Sequence, residues 1–198
     1  MPSAMTHSPL RTILWVSAGL MVVAPSAAGG AEDATPAPSP RAADAIGLIT
    51  SDDPYQRQVG FLRLEALREP GTAEVIRPYL DSRHPDLRAY TLRALAAIEG
   101  LASVPALLKA LKEDPHPRVR RTALLGLEPL QPQDAQILPA FIAALRDRKP
   151  EVRITAVDVV SRVDDARARE AILMRNKRER DRNVQRVLSL AMERLGGS

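Results

Sequence analysis

The chain has 198 residues, with 28 Lys and Arg against 24 Asp and Glu, no cysteine and only 3% aromatic residues. Without thiols there is no disulfide framework, no thiolate metal site and no cysteine nucleophile. The small basic excess is far below that of an obligate nucleic-acid binder, so no nucleic-acid partner is expected.

At the N-terminus, Arg11 precedes the apolar run Thr12–Ala24, which is followed by small residues. A run of this length fits a signal-peptide core and is short for a bilayer-spanning helix. Ser26-Ala27-Ala28 supplies small residues at a cleavage site, so residues 1–28 are expected to be an export signal. An uncleaved anchor is the alternative, since Thr12–Gly30 carries no charge. With cleavage, the chain is expected in the periplasm or cell envelope, without stable membrane insertion. Residues 29–41 alternate Pro36, Pro38 and Pro40 with small residues. Such a segment buries too little apolar surface to fold and reads as a tether, extending about 3.1 Å per residue where stretched.

From residue 42 onward a pattern returns five times. Its segments start at Pro54, Pro85, Pro117, Pro150 and Arg182, at intervals of 31, 32, 33 and 32 residues. Repeats of this length imply a stacked array, each unit burying its apolar face against its neighbours. Within a unit, two helices are predicted. In the third unit, Ser103 is placed to cap a helix carrying Leu107, Leu108 and Leu111 on one stripe. Pro115 and Pro117 stop it, and a second helix from Pro117 aligns Val119, Ala123, Leu124 and Leu127. The fourth unit repeats the logic: Asp134 caps, Ile137, Leu138, Phe141, Ile142 and Leu145 form the stripe, and Val152, Ala156, Val157 and Val160 follow Pro150. One slot reads Gly60, Thr91, Ala123, Ala156 and Leu188. Four small residues allow helix axes to approach to about 8–10 Å. Leu188, in the last unit, is expected to have no further repeat against it.

The run D-x-x-P-x-V-R-x-x-A-x-x-x-L, seen in DPHPRVRRTALLGL and DRKPEVRITAVDVV, resembles the HEAT repeat. It resembles in particular the short HEAT-like repeats first noted in phycobilisome lyases, over about Ala42–Leu195. Gln56, Arg182 and Gln185 depart from the pattern in the end units, as capping units do. The resemblance implies an all-α fold, a right-handed α-solenoid of about five HEAT-like helix pairs over residues 42–198. It also implies a binding scaffold, and leaves the ligand open.

Several constellations bear on chemistry. Arg57, Arg88, Arg120 and Arg153 share one slot, and Asp52, Asp81, Asp114 and Asp147 precede the proline slot. These rows predict an Arg–Asp ladder along the turns. His84 and His116 also share a slot, but equivalent slots lie about 10 Å apart, whereas zinc needs nitrogens at about 2.0–2.1 Å. They are read as turn residues, and neither metal nor cofactor is expected. Asp52-Asp53 and Asp164-Asp165 stand where helices begin and are read as caps. No phosphate loop or nucleophile motif is present in the sequence, so no enzymatic activity is expected. From Arg167 to Arg194, nine basic residues face four acids, a solvated terminal face or a docking patch.

The exposed side of the second helices lines the inner curve in HEAT solenoids. Helical phase places Gln58 and Leu62, Ala89 and Arg93, Arg121 and Leu125, Ile154 and Asp158, and Arg186 and Leu190 there. A mixed apolar and basic strip suits an acidic or amphipathic protein or peptide. The candidate partner-binding residues are therefore Arg93, Arg121, Leu125, Ile154, Asp158 and Arg186. The sequence supports an exported scaffold that binds a protein or peptide through its concave face. A HEAT-like lyase-type enzyme, or a regulatory subunit of an envelope enzyme, is the alternative.

Overall fold

The structure is a computed structural model that describes residues 37–196. The expected signal and most of the expected tether lie outside the described residues.

Five helix pairs follow one another. They are α1 (Pro40–Ile49) with α2 (Pro54–Leu67), α3 (Ala73–Ile76) with α4 (Pro85–Glu99), α5 (Val104–Glu113) with α6 (Pro117–Leu127), α7 (Ile137–Ala144) with α8 (Pro150–Val160), and α9 (Ala166–Asn176) with α10 (Arg182–Gly196). The described residues form an all-α solenoid with no strand. The predicted starts at Pro54, Pro85, Pro117, Pro150 and Arg182 are the first residues of α2, α4, α6, α8 and α10. Proline suits these positions because its ring fixes φ and its missing N–H has no helical partner there. The array begins at Pro40, two residues before the expected boundary. Ser39 caps α1 by accepting from the Ala42 N–H (3.2 Å) and donates its own N–H to Glu69 (3.0 Å).

The second helices stack in chain order, α2 on α4, α4 on α6, α6 on α8 and α8 on α10. The first helices touch one another more sparsely, as α5 does α7 and α7 does α9. The slot of small residues sets the close approach. A Cβ on Gly60 would lie 2.8 Å from the Ala45 carbonyl oxygen and 2.8 Å from the Ile49 nitrogen, both backbone atoms of α1. Thr91, Ala123 and Ala156 are fully buried in the equivalent place. Leu188 is fully buried as well. It belongs to the apolar core of the C-terminal units, so this slot is filled by a larger side chain in the last of them.

Two apolar clusters divide at α4. Ala94 and Leu95 join the N-terminal cluster around Phe61 and Ile76, while Ala89 and Leu92 join the larger C-terminal one. Phe61 packs edge-on to Tyr79, with ring centroids 5.6 Å apart. Gly100, at φ 55°, ends α4 in a conformation that favours glycine. It breaks the apolar stretch Pro85–Glu113, which is long and apolar enough to pass for a membrane span, into two helices of the array.

Two capping expectations resolve differently. Asp134 accepts from the Gln136 N–H (2.8 Å) just before α7. Ser103 accepts nothing from α5; its hydroxyl donates to the Gly100 carbonyl (2.6 Å). It sits inside a short 3-10 turn that already has helical backbone angles, so it lacks the extended geometry a capping side chain needs.

Candidate functional site: the turn ladder and the exposed face of the second helices

The predicted ladder exists, with a register the sequence reading missed. Arg88 makes a two-pronged bond with Asp114, Nε to Oδ2 at 2.7 Å and Nη2 to Oδ1 at 2.9 Å. Arg120 binds Asp147 in the same way, both at 2.7 Å. Arg153 binds Glu179 at 2.9 and 3.0 Å. Each arginine therefore grips the acid of the following unit. Its remaining prong returns to its own turn, donating to the carbonyl six residues back: Arg57 to Ser51, Arg88 to Ser82, Arg120 to Asp114 and Arg153 to Asp147, at 2.8 to 2.9 Å. Gln185 keeps this bond in the last unit, to the Glu179 carbonyl (2.8 Å).

The slot six residues before the arginine is thus Ser51, Ser82, Asp114, Asp147 and Glu179. Asp52 and Asp81 lie one place out of register and are not rungs. In the second unit this slot is Ser82, so Arg57 has no ladder acid, and its bonds go to the Ser51 and Asp52 carbonyls of its own turn. Glu179 was missed because its unit has neither the proline nor the arginine that mark the others. Its signal is its place six residues before Gln185, as Asp147 stands six before Arg153.

The ladder acids are held ionised. Burial works to raise the Asp114 carboxyl's pKa and is the largest single influence, but the Arg88 bond and the His116 N–H outweigh it, leaving the group below its ordinary value. Asp147 is lowered by the same balance, with Arg120 and the Lys149 N–H opposing burial. Glu179 falls to about 2: burial is again outweighed, here by Arg153, Arg175 and the N–H groups of Arg180 and Asp181. Every rung is satisfied by its neighbours, so the ladder fixes the stacking of units and offers no free anion row.

The histidines behave as turn residues. His116 accepts the Arg118 N–H through Nδ1 (3.3 Å), and His84 occupies the equivalent cap of α4. Asp53 caps α2 and Asp165 caps α9 through the N–H groups of Tyr55 and Arg167. Among the described residues no group of three His, Cys, Asp or Glu is placed to hold a metal ion.

On the exposed face of the second helices, Leu62, Leu125 and Leu190 stand 42%, 50% and 52% exposed at equivalent positions of the first, third and fifth units. Between them, in the same row, lie Arg93 and Asp158, and both are ion-paired. Arg93 reaches Glu65 (2.6 Å), and Asp158 reaches Arg162 (2.8 Å) and Arg194 (4.0 Å). Arg121 is exposed and donates to the Thr155 hydroxyl (3.1 Å). Arg186 is exposed and has no acid partner among the described residues. Ile154 is half-buried against the core, and Ala89 is buried, so neither is a free contact. Ala89 is taken into the larger apolar cluster, on the helix α4 that packs against both α2 and α6. The face is therefore an alternation of exposed leucines and inter-unit ion pairs, with free basic character at Arg121 and Arg186.

A repeated pair of helices, stacked through the second helix of each unit and locked by arginine rungs, defines a HEAT-type solenoid. The family described as HEAT repeats matches residues 42–128 and 104–193, and the chain belongs to that family. No curated protein matches it. Among solved structures, the chain is similar to one in the complex of CpcE and CpcF of phycocyanin lyase from Nostoc sp. PCC7120. The two share 20% identity, with a TM-score of 0.65 over 76% of this chain and 97% of that one. The likeness establishes the fold, and it corrects one expectation. The reading of this chain as having no chemistry of its own rested on the repeat's use as a scaffold. The same array, over nearly the whole of the neighbouring chain, serves in a lyase complex.

Proposed function

We propose that this chain is one subunit of a lyase-type enzyme complex, and that the exposed face of its second helices holds a second protein chain. The observation that carries the reading is the match of nearly all of the neighbour's chain to this array, in a lyase complex of two subunits. The row of Leu62, Leu125 and Leu190 supports it, because regularly spaced exposed leucines beside Arg121 and Arg186 suit an amphipathic partner element. We further propose that the pair works in the cell envelope, the chain arriving there through its N-terminal segment. Chemistry in this reading belongs to the assembled pair.

The test is native mass spectrometry of the tagged chain purified from the envelope fraction. The reading expects a stoichiometric second polypeptide, retained through size exclusion. A chain recovered as a lone monomer, or recovered only from the cytoplasm, contradicts it.

A further inference from the structure

The first helices stand apart where the second helices close up, and grooves run between them. The groove between α5 and the turn preceding α4, about 400 Å³, is balanced in charge, with Arg77, Arg88 and Lys109 against Asp81, Glu113 and Asp114. The groove between α7 and α9 is larger, at about 520 Å³, and it is not balanced. Ile142, Leu145 and Ala171 lie along it, with Met174 exposed at its side. Arg146, Arg167, Arg175 and Arg178 surround them, against the single acid Glu170.

Two of those arginines are committed. Arg167 pairs with Asp165 (2.8 Å), and Arg175 donates to the buried Glu179 (2.8 Å). Arg146 and Arg178 are exposed and have no acid partner among the described residues. The groove between α5 and α7, about 420 Å³, carries Lys112 and Arg146 against Asp147, so basic residues are densest around the α7/α9 floor. Spacing of helices accounts for the gap; it does not account for cations gathered around one apolar floor.

We propose that the α7/α9 groove is a second docking site, on the side of the molecule formed by the first helices, for an acidic amphipathic helix of a protein partner. The helix would lay apolar residues one turn apart on Ile142, Leu145, Ala171 and Met174, and set carboxylates against Arg146 and Arg178. A helix is favoured because the groove runs between two helices and presents an apolar stripe with charge beside it, the form in which an amphipathic helix is taken up. Methionine at the side adds an adaptable apolar contact. The site is independent of the second-helix face.

The probe is a synthetic amphipathic helix peptide with leucines on one stripe and glutamates flanking them, titrated by fluorescence anisotropy into the purified chain. Binding should be in the micromolar range and weaken with salt, and Arg146→Glu with Arg178→Glu should weaken it by at least about tenfold. Arg41→Glu with Arg83→Glu, exposed in the first two units and lining neither this groove nor the second-helix face, should leave it unchanged. Circular dichroism of both double variants should match the parent, since none of these four side chains has an acid partner to lose. Met174→Asp provides a second reading, losing affinity through the apolar contact alone. The proposal is overturned if the parent does not bind the peptide. It is overturned equally if a scrambled peptide of the same composition binds as well, or if the Arg146/Arg178 variant binds as tightly. Preference for phosphatidylglycerol vesicles over the peptide, lost in that same variant, would assign the groove to a lipid surface instead.

Discussion

Replacing Arg120 by alanine tests the ladder where it is most buried. The Arg120 side chain is 3% exposed and that of Asp147 12%, and the pair joins the third unit to the fourth. The substitution removes two charge-assisted bonds of 2.7 Å and the bonds to the Asp114 and Pro115 carbonyls. It leaves Asp147 largely buried with its charge uncompensated. Breaking such a pair from one side costs about 3–5 kcal/mol. That is a large part of the roughly 5–15 kcal/mol by which a domain is stable. Replacing both partners by apolar residues of similar volume, Arg120→Met with Asp147→Leu, should cost much less, because no charge is stranded. Arg118→Ala is the matched control: its bond to Asp86 lies at the surface, with both side chains about half exposed, and such pairs contribute about 0–1 kcal/mol. Urea unfolding followed by circular dichroism gives the three values. If Arg120→Ala falls within about 1 kcal/mol of the parent, or if the double variant falls no closer to the parent than Arg120→Ala does, the ladder does not hold the units together as argued.

Other predictions follow from the same geometry. Gly60→Ala should destabilise the array by more than about 2 kcal/mol, since its Cβ would press on α1 backbone, whereas Gly47→Ala meets open space and should stabilise by up to about 1 kcal/mol. Thermal melts of the two variants check the sign of each. Leu124→Ala, fully buried between units, should cost about 2–5 kcal/mol in denaturant. Glu179 titrates near 2 in the folded chain against an ordinary 4.5. Its contribution is thus fully present above about pH 4.5 and is lost as pH falls toward 2, on the order of 3 kcal/mol in all. The urea midpoint should fall steeply across that window in the parent and less steeply in Glu179→Gln; equal slopes would show that Glu179 is not linked to folding.

The helix pairs were legible because proline, valine and small residues recur at fixed slots, and each has a local physical reason to be there. Val119, Ala123 and Leu124 needed only the period of a helix to be placed in the core. What could not be read was anything that depends on how one unit sits on the next. The rung acids were assigned from their nearness to proline, which put Asp52 and Asp81 in the row. The true rule is a hydrogen bond to the carbonyl six residues back, visible only once the arginine is seen folding over its own turn. The candidate face fared similarly. Helical phase correctly placed Leu125 and Arg121 outward. It could not show that Ala89 is enclosed by neighbouring helices, nor that Arg93 and Asp158 are engaged by Glu65 and Arg194 of the adjacent units; only the Asp158–Arg162 pair, four residues apart, was within reach of helical spacing.

Subunit retention in a pair of leucine variants tests the proposed role of the second-helix face most directly. Leu125 and Leu101 are similarly exposed, at 50% and 44%, but Leu101 lies in the short turn before α5, away from that face. The tagged chain carrying Leu125→Glu should lose its second polypeptide on size exclusion while keeping the parent's melting temperature, and Leu101→Glu should retain it. Equal retention by both variants, or loss only from Leu101→Glu, would contradict the account.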